Sequence, residues 1–327
     1  MKLIVQIPCY NEEKTLPTVV ADIPKHIPGV DSVEILVVDD GSTDMTYEVA
    51  ERCGVNHIVR NRQNRGLASS FRTGLDTALR LGADIIVNTD GDNQYPGGRI
   101  PALIEPILTG KADIVIGDRR AGGYQGFGWP KRCLQRIGSA VVARLSGLEV
   151  PDAVSGFRAF SREAAINTNI VSSFSYTIET LIQAGRKRYA IVSVPITINP
   201  TTRSSRLFRS IPEFIARSVS TMLRIYAMYQ PLRAYSYFGM FLMFLGSIPV
   251  VRFLIYYFAG QGAGKIQSLI IGAILILLGG LSVMIGLIAD LISFNRQLSE
   301  MTLERVRRIE LKLGAAEGVD KDDDASP

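Results

Sequence analysis

Apolar positions in the first 120 residues follow two alternating periods. Short β-branched runs at Leu3–Ile7, Val33–Val38, His57–Val59, Asp84–Asn88 and Asp113–Ile116 predict strands. Between them, helical spacing predicts helices around Lys14–His26, Asp44–Cys53, Leu67–Leu81 and Arg99–Leu108. Strands alternating with helices imply an α/β fold, a mostly parallel sheet with helices on both faces. The runs VEILVV and ADIIVN lack polar alternation, as strands buried on both faces do. Ligands in such sheets sit beyond the carboxyl ends of the strands.

The pattern changes after residue 210. Ile211, Phe214, Ile215, Val219, Met222, Ile225, Tyr226 and Tyr229 share one helical face, with Arg217 and Arg224 on another. This predicts an amphipathic interfacial helix over 211–233, against the alternative of a helix packed on the soluble core. Between Ala234 and Ala289 the only charged side chains are Arg252 and Lys265. Tyr235–Phe258 and Ile266–Ala289 would each run about 36 Å as helices, enough for a hydrocarbon core of about 30 Å. The short glycine-rich joint Ala259–Lys265 makes them a transmembrane hairpin over 234–290. Arg217, Arg224 and Arg233 precede it, and Arg296, Arg305, Arg307 and Arg308 follow it. Both termini and the globular domain are therefore expected on the cytosolic side of a membrane crossed twice. Arg252, inside the first span, can reach the far interface or a lipid phosphate. Gly239 and Gly246, and Gly272, Gly279 and Gly286, recur every seven residues. Such stripes permit close helix packing, within the hairpin or between subunits of a homo-oligomer. Residues 291–327 are expected to form a charged helix, Leu298–Leu313, followed by a disordered acidic tail.

Composition narrows the class. At 327 residues, 47% hydrophobic and 20% charged, the chain is not disordered as a whole. A net charge of +5, with no concentrated basic arm, does not call for nucleic acid. Cys9, Cys53 and Cys133 have neither CxxC spacing nor an even count, which fits a reducing compartment and speaks against a cysteine metal site. The apolar run opening MKLIVQIPCYNEE is too short for a signal-peptide core, so the globular part is expected in the cytosol.

The strand ends carry the chemistry. The first is followed by Pro8-Cys9-Tyr10-Asn11-Glu12-Glu13, the second by Asp39-Asp40-Gly41-Ser42, the fourth by Asp90-Gly91-Asp92-Asn93-Gln94, and the fifth by Gly117-Asp118-Arg119-Arg120. Neighbouring carboxylates repel and call for a cation or donor groups. Asp90 and Asp92 suit a hard divalent ion that also binds a nucleotide diphosphate, Mg²⁺ or Mn²⁺. An isolated Asp-x-Asp is more often a solvated turn, but a buried strand leads into this one. At DDGSTD, Ser42 or Thr43 is expected to cap the following helix while Asp39 or Asp40 meets a ribose or base. No GxGxxG follows the first strand and no GxxxxGK[ST] occurs.

Together, PxYNEE, VVDDGSTD, the strand ending in DxDxQ, the glycine and arginine after the fifth strand, and DxxSGFR resemble glycosyltransferase family 2, over residues 3 to about 210. The branch most resembled acts on polyprenyl phosphate, like dolichol-phosphate mannose synthases. The resemblance implies a GT-A fold over 1–210, a nucleotide-sugar donor, a divalent metal and inversion at the anomeric carbon. Carried over by residue, it implies nucleotide-sugar contacts at Pro8, Tyr10, Glu12, Asp39, Asp40, Asp90 and Gly91, and metal ligands at Asp90, Asp92 and Gln94. Arg119 matches an arginine near the phosphates, and Asp152, Ser155 and Gly156 match the stretch beside the acceptor. Asp92, Arg119 and Asp152 are the catalytic candidates, Asp152 either as a base or as an orienting group. Arg119, Arg132, Arg136, Ser139 and Ser155 are candidates for the acceptor phosphate. Asp118 stands where the family usually has Ser or Thr, and Ser205-Arg206, preceded by Arg203, replaces Ser-Lys; Arg203 and Arg206 can still hold a phosphate.

The expected reaction moves a hexose from GDP-mannose, UDP-glucose or a UDP-N-acetylhexosamine to a membrane polyprenyl phosphate. Three other readings compete, of which transfer to a protein or a small lipid hydroxyl would make Asp152 essential. A processive polysaccharide synthase would show QxxRW and more spans, whereas the only tryptophan, Trp129, lies in GFGWPK. A non-catalytic membrane scaffold that binds nucleotide sugars would have little use for the Asp-x-Asp.

Overall fold

The computed structural model describes residues 1–119, 150–170, 176–199, 229–260 and 266–323, with isolated positions at 143, 147, 148, 220, 224, 226 and 227. For residues 314–323 only the backbone is described.

The expected strands and helices form in order: β1 Lys2–Cys9, α1 Leu16–Asp22, β2 Ser32–Asp39, α2 Thr46–Arg52, β3 His57–Arg60, α3 Leu67–Arg80, β4 Ile85–Asn88, α4 Ile100–Leu108 and β5 Ile114–Asp118. Helix α1 is shorter than its apolar pattern because Pro24 follows; Ile23 turns to extended backbone at φ −76°, ψ 122°. Further along lie β6 Arg158–Ser161, α5 Arg162–Ile166, α6 Tyr176–Arg186 and β7 Ile191–Pro195. The seven strands are ordered β3-β2-β1-β4-β6-β5-β7. All pairings are parallel except those of β6, which runs antiparallel to both β4 and β5.

Strand alternation divides the core between the two faces. Leu3, Val5, Ile7, Val37, Ile85 and Val87 pack against Leu16, Val19, Ile100, Leu103 and Ile104. Ile4, Leu36, Val38, Ile86, Ile114 and Phe160 pack against Phe71, Leu75, Leu79 and Leu181. The chain moves outward from β1 to β2 and β3, then returns to place β4 on the other side of β1. That reversal opens a crevice between the loops after β1 and β4.

Helix α7 spans Pro231–Phe258 and α8 spans Ile266–Asp323. Both are long and apolar enough to cross a membrane, and only 11% and 22% of their most apolar stretches are buried. A core helix of a soluble protein would be mostly buried. The glycine stripes serve packing within the hairpin: a Cβ on Gly239 would lie 2.6 Å from the Gly279 carbonyl oxygen, and one on Gly246 2.8 Å from that of Gly272.

Helix α8 takes in the charged helix expected over Leu298–Leu313. It runs unbroken from the apolar span through the charged segment to Asp323. Residues 290–313 contain neither Gly nor Pro and are rich in good helix formers. The chain divides into two compact units, residues 1–208 with 303–327, and residues 209–302. Within the first unit, Glu304 pairs with Lys187 and Arg308 with Glu163. Arg307 pairs with Asp76 at 3.1 Å and donates to the carbonyls of Ile166 and Thr168, while Leu311 packs on the α3 side of the core.

Candidate active site

The loops after β1 and β2 are stapled together by their own polar side chains. Asn11, at φ +57°, donates its backbone N–H to Ser42 Oγ (3.0 Å) and accepts from Thr43 N (2.8 Å). Glu12 N donates to Thr46 Oγ1 (2.8 Å). Ser42 and Thr43 therefore do not cap α2 as expected: they hold Asn11, and Asp44 instead accepts from Thr46 N at the helix start (3.0 Å). Asp39 is buried, accepting from Ser42 N (2.9 Å), with its other oxygen 3.2 Å from Arg60 Nε. Arg60 in turn lies over the Tyr47 ring at 4.8 Å.

Asp40 is used by the chain itself. It accepts from Asn61 Nδ2 (2.8 Å), Arg65 N (3.0 Å) and Gly66 N (2.8 Å), tying β2 to the loop that enters α3. Pro8 is buried in β1 beside Val38, and Tyr10 is 38% exposed at the rim.

On the other side of the crevice β4 delivers Asp90, Gly91 and Asp92. Asp92 accepts from Gln94 N (3.1 Å), closing a tight turn in which Asn93 takes φ +60°. Gly91 permits a close approach: a Cβ there would lie 3.0 Å from Cys9 Sγ and 3.2 Å from Glu12 Cγ. Thr15 Oγ1 locks the same place, donating to Gly91 O (2.7 Å) and Glu12 Oε2 (3.0 Å). Burial, reinforced by Asp92 and, to a smaller degree, Glu12, pushes the Asp90 carboxyl up to about 7, against the pull of Arg119.

Among the described residues no three His, Cys, Asp or Glu side chains gather to cage an ion. Two carboxylates under mutual repulsion at a strand end nevertheless fit a Mg²⁺-type ion, which completes its shell with phosphate and water oxygens. Such a cation would offset both the burial of the Asp90 charge and its repulsion by Asp92.

A third element closes the site. Arg119, just past β5, makes a bidentate pair with Asp152, Nε to Oδ2 at 2.7 Å and Nη2 to Oδ1 at 3.0 Å, and both side chains are largely buried. Despite the cost of burial, the hydrogen bonds and charge of Asp152 hold Arg119 firmly protonated. Ser155 is fully buried, and Gly156 presses against Asp90: a Cβ there would sit 3.0 and 3.1 Å from its two carboxylate oxygens and 2.9 Å from Tyr176 Oη. Asn88 Nδ2 donates to Gly156 O (2.8 Å) and Tyr176 Oη (3.2 Å), while Gly156 N donates to Tyr95 Oη (3.2 Å).

The structure thus brings Pro8, Tyr10, Glu12, Asp39, Asp90, Gly91, Asp92, Gln94, Arg119, Asp152 and Ser155 to the strand ends, with Asp40 set behind them as an anchor. Arg132, Arg136, Ser139, Arg203 and Arg206 lie outside the described residues. Sequence reasoning missed Asn88, Tyr95 and Arg158. Asn88 ends an otherwise apolar run and Arg158 sits between two aromatics in GFRAF, polar groups at positions that a buried strand normally fills with carbon.

Residues 4–168 match the model of the family described as glycosyl transferase family 2. The chain belongs to glycosyltransferase family 2. The likeness extends to this family's polyprenyl-phosphate enzymes. This glycosyltransferase is 30% identical over 207 residues to the undecaprenyl-phosphate mannosyltransferase of Micrococcus luteus, covering 60% of this chain and 83% of the relative. It is 32% identical over 213 residues to the UDP-N-acetylglucosamine–dolichyl-phosphate N-acetylglucosaminyltransferase of Methanococcus voltae (58% and 82%). With the dolichol-phosphate mannosyltransferase of Pyrococcus furiosus it shares 34% over 212 residues (62% and 58%). Among solved structures, glucosyl-3-phosphoglycerate synthase of Mycobacterium tuberculosis in complex with UDP superposes with a TM-score of 0.53 at 26% identity, over 69% of this chain and 79% of that one. The same synthase with Mn²⁺, UDP-glucose and glycerol 3-phosphate gives 0.53 at 25% over the same shares. The glycosyltransferase domain has the GT-A fold.

Proposed function

We propose that this glycosyltransferase moves a hexose from a nucleotide-diphosphate sugar to a polyprenyl phosphate, with inversion at the anomeric carbon. The observation that carries the proposal is the meeting of Asp90 and Asp92 with the Arg119–Asp152 pair at one crevice, in a chain that also bears two membrane-length helices. The relatives named for undecaprenyl, dolichyl and dolichol phosphate support the acceptor class.

In this reading Pro8, Tyr10, Glu12, Asp39 and Gly91, with Arg203 and Arg206, receive the nucleotide sugar. Asp40 shapes the wall behind them through its bonds to residues 61–66. Asp90 and Asp92, with Gln94 beside them, would hold Mg²⁺ or Mn²⁺, which when bound offsets the charge of the departing diphosphate. The solved relative with Mn²⁺ and UDP-glucose supports a divalent ion.

The acceptor oxygen bonds to the anomeric carbon as the bond to the nucleotide phosphate breaks. A phosphate monoester is already largely ionised near neutral pH, its second pKa being about 6, so a strong base is not needed. Asp152, with both oxygens on Arg119, fits an orienting role better than that of a free base. It holds the guanidinium in one direction, toward a phosphate, and Arg132, Arg136, Ser139 and Ser155 complete the acceptor side. The main contribution of these residues is to position two negatively charged partners against their repulsion. The arginines flanking the hairpin support a cytosolic side for the catalytic domain and both termini.

The test supplies purified full-length protein with Mg²⁺ or Mn²⁺, labelled GDP-mannose, UDP-glucose and UDP-N-acetylglucosamine, and either polyprenyl phosphate or polyprenol. Label in a mild-acid-labile lipid, from the phosphate acceptor alone, supports the proposal and names the sugar. Transfer to the alcohol instead would assign a hydroxyl acceptor and a base role for Asp152. Nucleotide-sugar binding without transfer would support a scaffold.

A further inference from the structure

Arg158 is the largest fully buried side chain of the catalytic unit, and no carboxylate lies within ion-pair distance of it among the described residues. Among the described residues its guanidinium is held by neutral oxygens. Nε donates to Ser155 O (2.8 Å), Nη2 to Ala153 O (2.8 Å), and Nη1 to Thr177 O (2.7 Å) and Thr180 Oγ1. Burial pulls its pKa down to about 10, opposed mainly by Tyr176 and Asp152. It stays charged at neutral pH, so the core holds a cation with no directly bonded carboxylate among the described residues, an arrangement that is costly unless every donor is placed.

The geometry of that cation points to its use. Two of its arms grip the carbonyls of residues 153 and 155, in the turn that starts at Asp152 and closes with Ser155 N donating to Asp152 O (3.3 Å). The other arm grips the first turns of α6, which also presents Tyr176 to Gly156. A planar fork with donors in fixed directions sets the orientation of such a turn; a lysine, with one ammonium, cannot span both carbonyls and the helix. We propose that Arg158 is a positioning residue for transfer: it fixes the 152–156 turn so that Asp152 meets Arg119 side-on and Gly156 closes on Asp90. The effect on turnover rests on the glycosyl-transfer reading above; the effect on the turn does not.

The test compares Arg158→Lys and Arg158→Met with Phe160→Leu, a core change two residues along β6 that removes none of these hydrogen bonds. Each full-length variant is assayed well below its melting temperature. The proposal expects kcat to fall about 10- to 100-fold in both Arg158 variants. Donor KM and nucleotide affinity should stay within about twofold of wild type. Phe160→Leu should keep kcat even at a comparable loss of melting temperature. Amide hydrogen exchange should rise selectively over 152–156 and at Arg119, and not in β1. An equal fall of kcat in Phe160→Leu, or unchanged exchange over 152–156, would overturn it. If wild type transfers nothing to a polyprenyl phosphate, the functional reading fails while the exchange data still decide the role of Arg158. If the Arg158 variants do not fold, Thr180→Val removes one of the guanidinium's partners and should give the same selective pattern at smaller size; a normal kcat and normal exchange in it would overturn the proposal.

Discussion

Replacing Asp90 by asparagine should stabilise the metal-free protein while abolishing transfer. Burial and the neighbouring Asp92 raise the folded-state pKa of Asp90 from an ordinary 3.8 to about 7. A carboxyl with a raised folded pKa binds its proton more tightly folded than unfolded. Its stability contribution is therefore fully retained below about pH 4 and is lost as pH rises from there through 7. Three units at about 1.4 kcal/mol each give a loss of about 4 kcal/mol by pH 8. Asparagine carries no charge to desolvate, so Asp90→Asn should match wild type near pH 4 on the scale of this effect and exceed it at pH 8. For a domain of this size the gap at pH 8 amounts to about 8–16 °C in melting temperature. The assay is thermal unfolding of the full-length chain in detergent with chelator, wild type against variant, across pH 4–8. Adding Mg²⁺ or Mn²⁺ should raise the wild-type melting temperature and leave the variant nearly unmoved, because a cation relieves the repulsion that the substitution has already removed. Parallel pH profiles for the two proteins, or a variant less stable than wild type at pH 8, would refute the electrostatic account of this site.

Asp152→Asn removes the partner of a nearly buried guanidinium and should cost about 3–5 kcal/mol in chemical unfolding together with most of the transfer rate; an unchanged rate would remove Asp152 from the mechanism. Gly239→Leu forces a side chain against the Gly279 carbonyl, where even a Cβ would sit at 2.6 Å, and should separate the hairpin. Engineered cysteine pairs across α7 and α8 that crosslink in the parent should then fail to do so. Arg307→Ala leaves Asp76 and the carbonyls of Ile166 and Thr168 without their partner, and should lower catalytic-domain stability by about 2 kcal/mol in denaturant unfolding. No change would mean that residues from 303 onward contribute little to that unit.

Much of the fold can be read from the chain because β1, β4, β5 and the second half of β2 are buried on both faces and advertise it as largely apolar stretches. Strand β6 hides because its four residues begin with a charged side chain whose burial depends on carbonyls and a hydroxyl 3 to 22 residues away. Strand β7 is half-exposed, like β3 at the opposite edge of the sheet. The true length of α8 was hidden by a change of environment: apolar and then charged, the sequence looks like two elements, yet nothing in residues 290–313 stops a helix.

At the site, the acidic clusters are legible because a strand's end fixes where its next residue goes. Their division of labour is not. Asp39 and Asp40 are adjacent and chemically alike, but only the carboxylate of Asp40 accepts from residues 61–66, which the chain leaving β3 for α3 brings near. Likewise the Arg119–Asp152 pair joins residues 33 apart through the antiparallel insertion of β6 beside β5.

The central claim is most directly tested by single-turnover transfer of label from a nucleotide sugar to polyprenyl phosphate, comparing wild type, Asp92→Asn and wild type with chelator. The account predicts labelled lipid from wild type with Mg²⁺ or Mn²⁺ and at least a hundredfold less, an order-of-magnitude expectation of about 3 kcal/mol in transition-state stabilisation, from the other two. Equal transfer in all three would contradict it, since Asp90 and Asp92 would then have no part in the chemistry assigned to them.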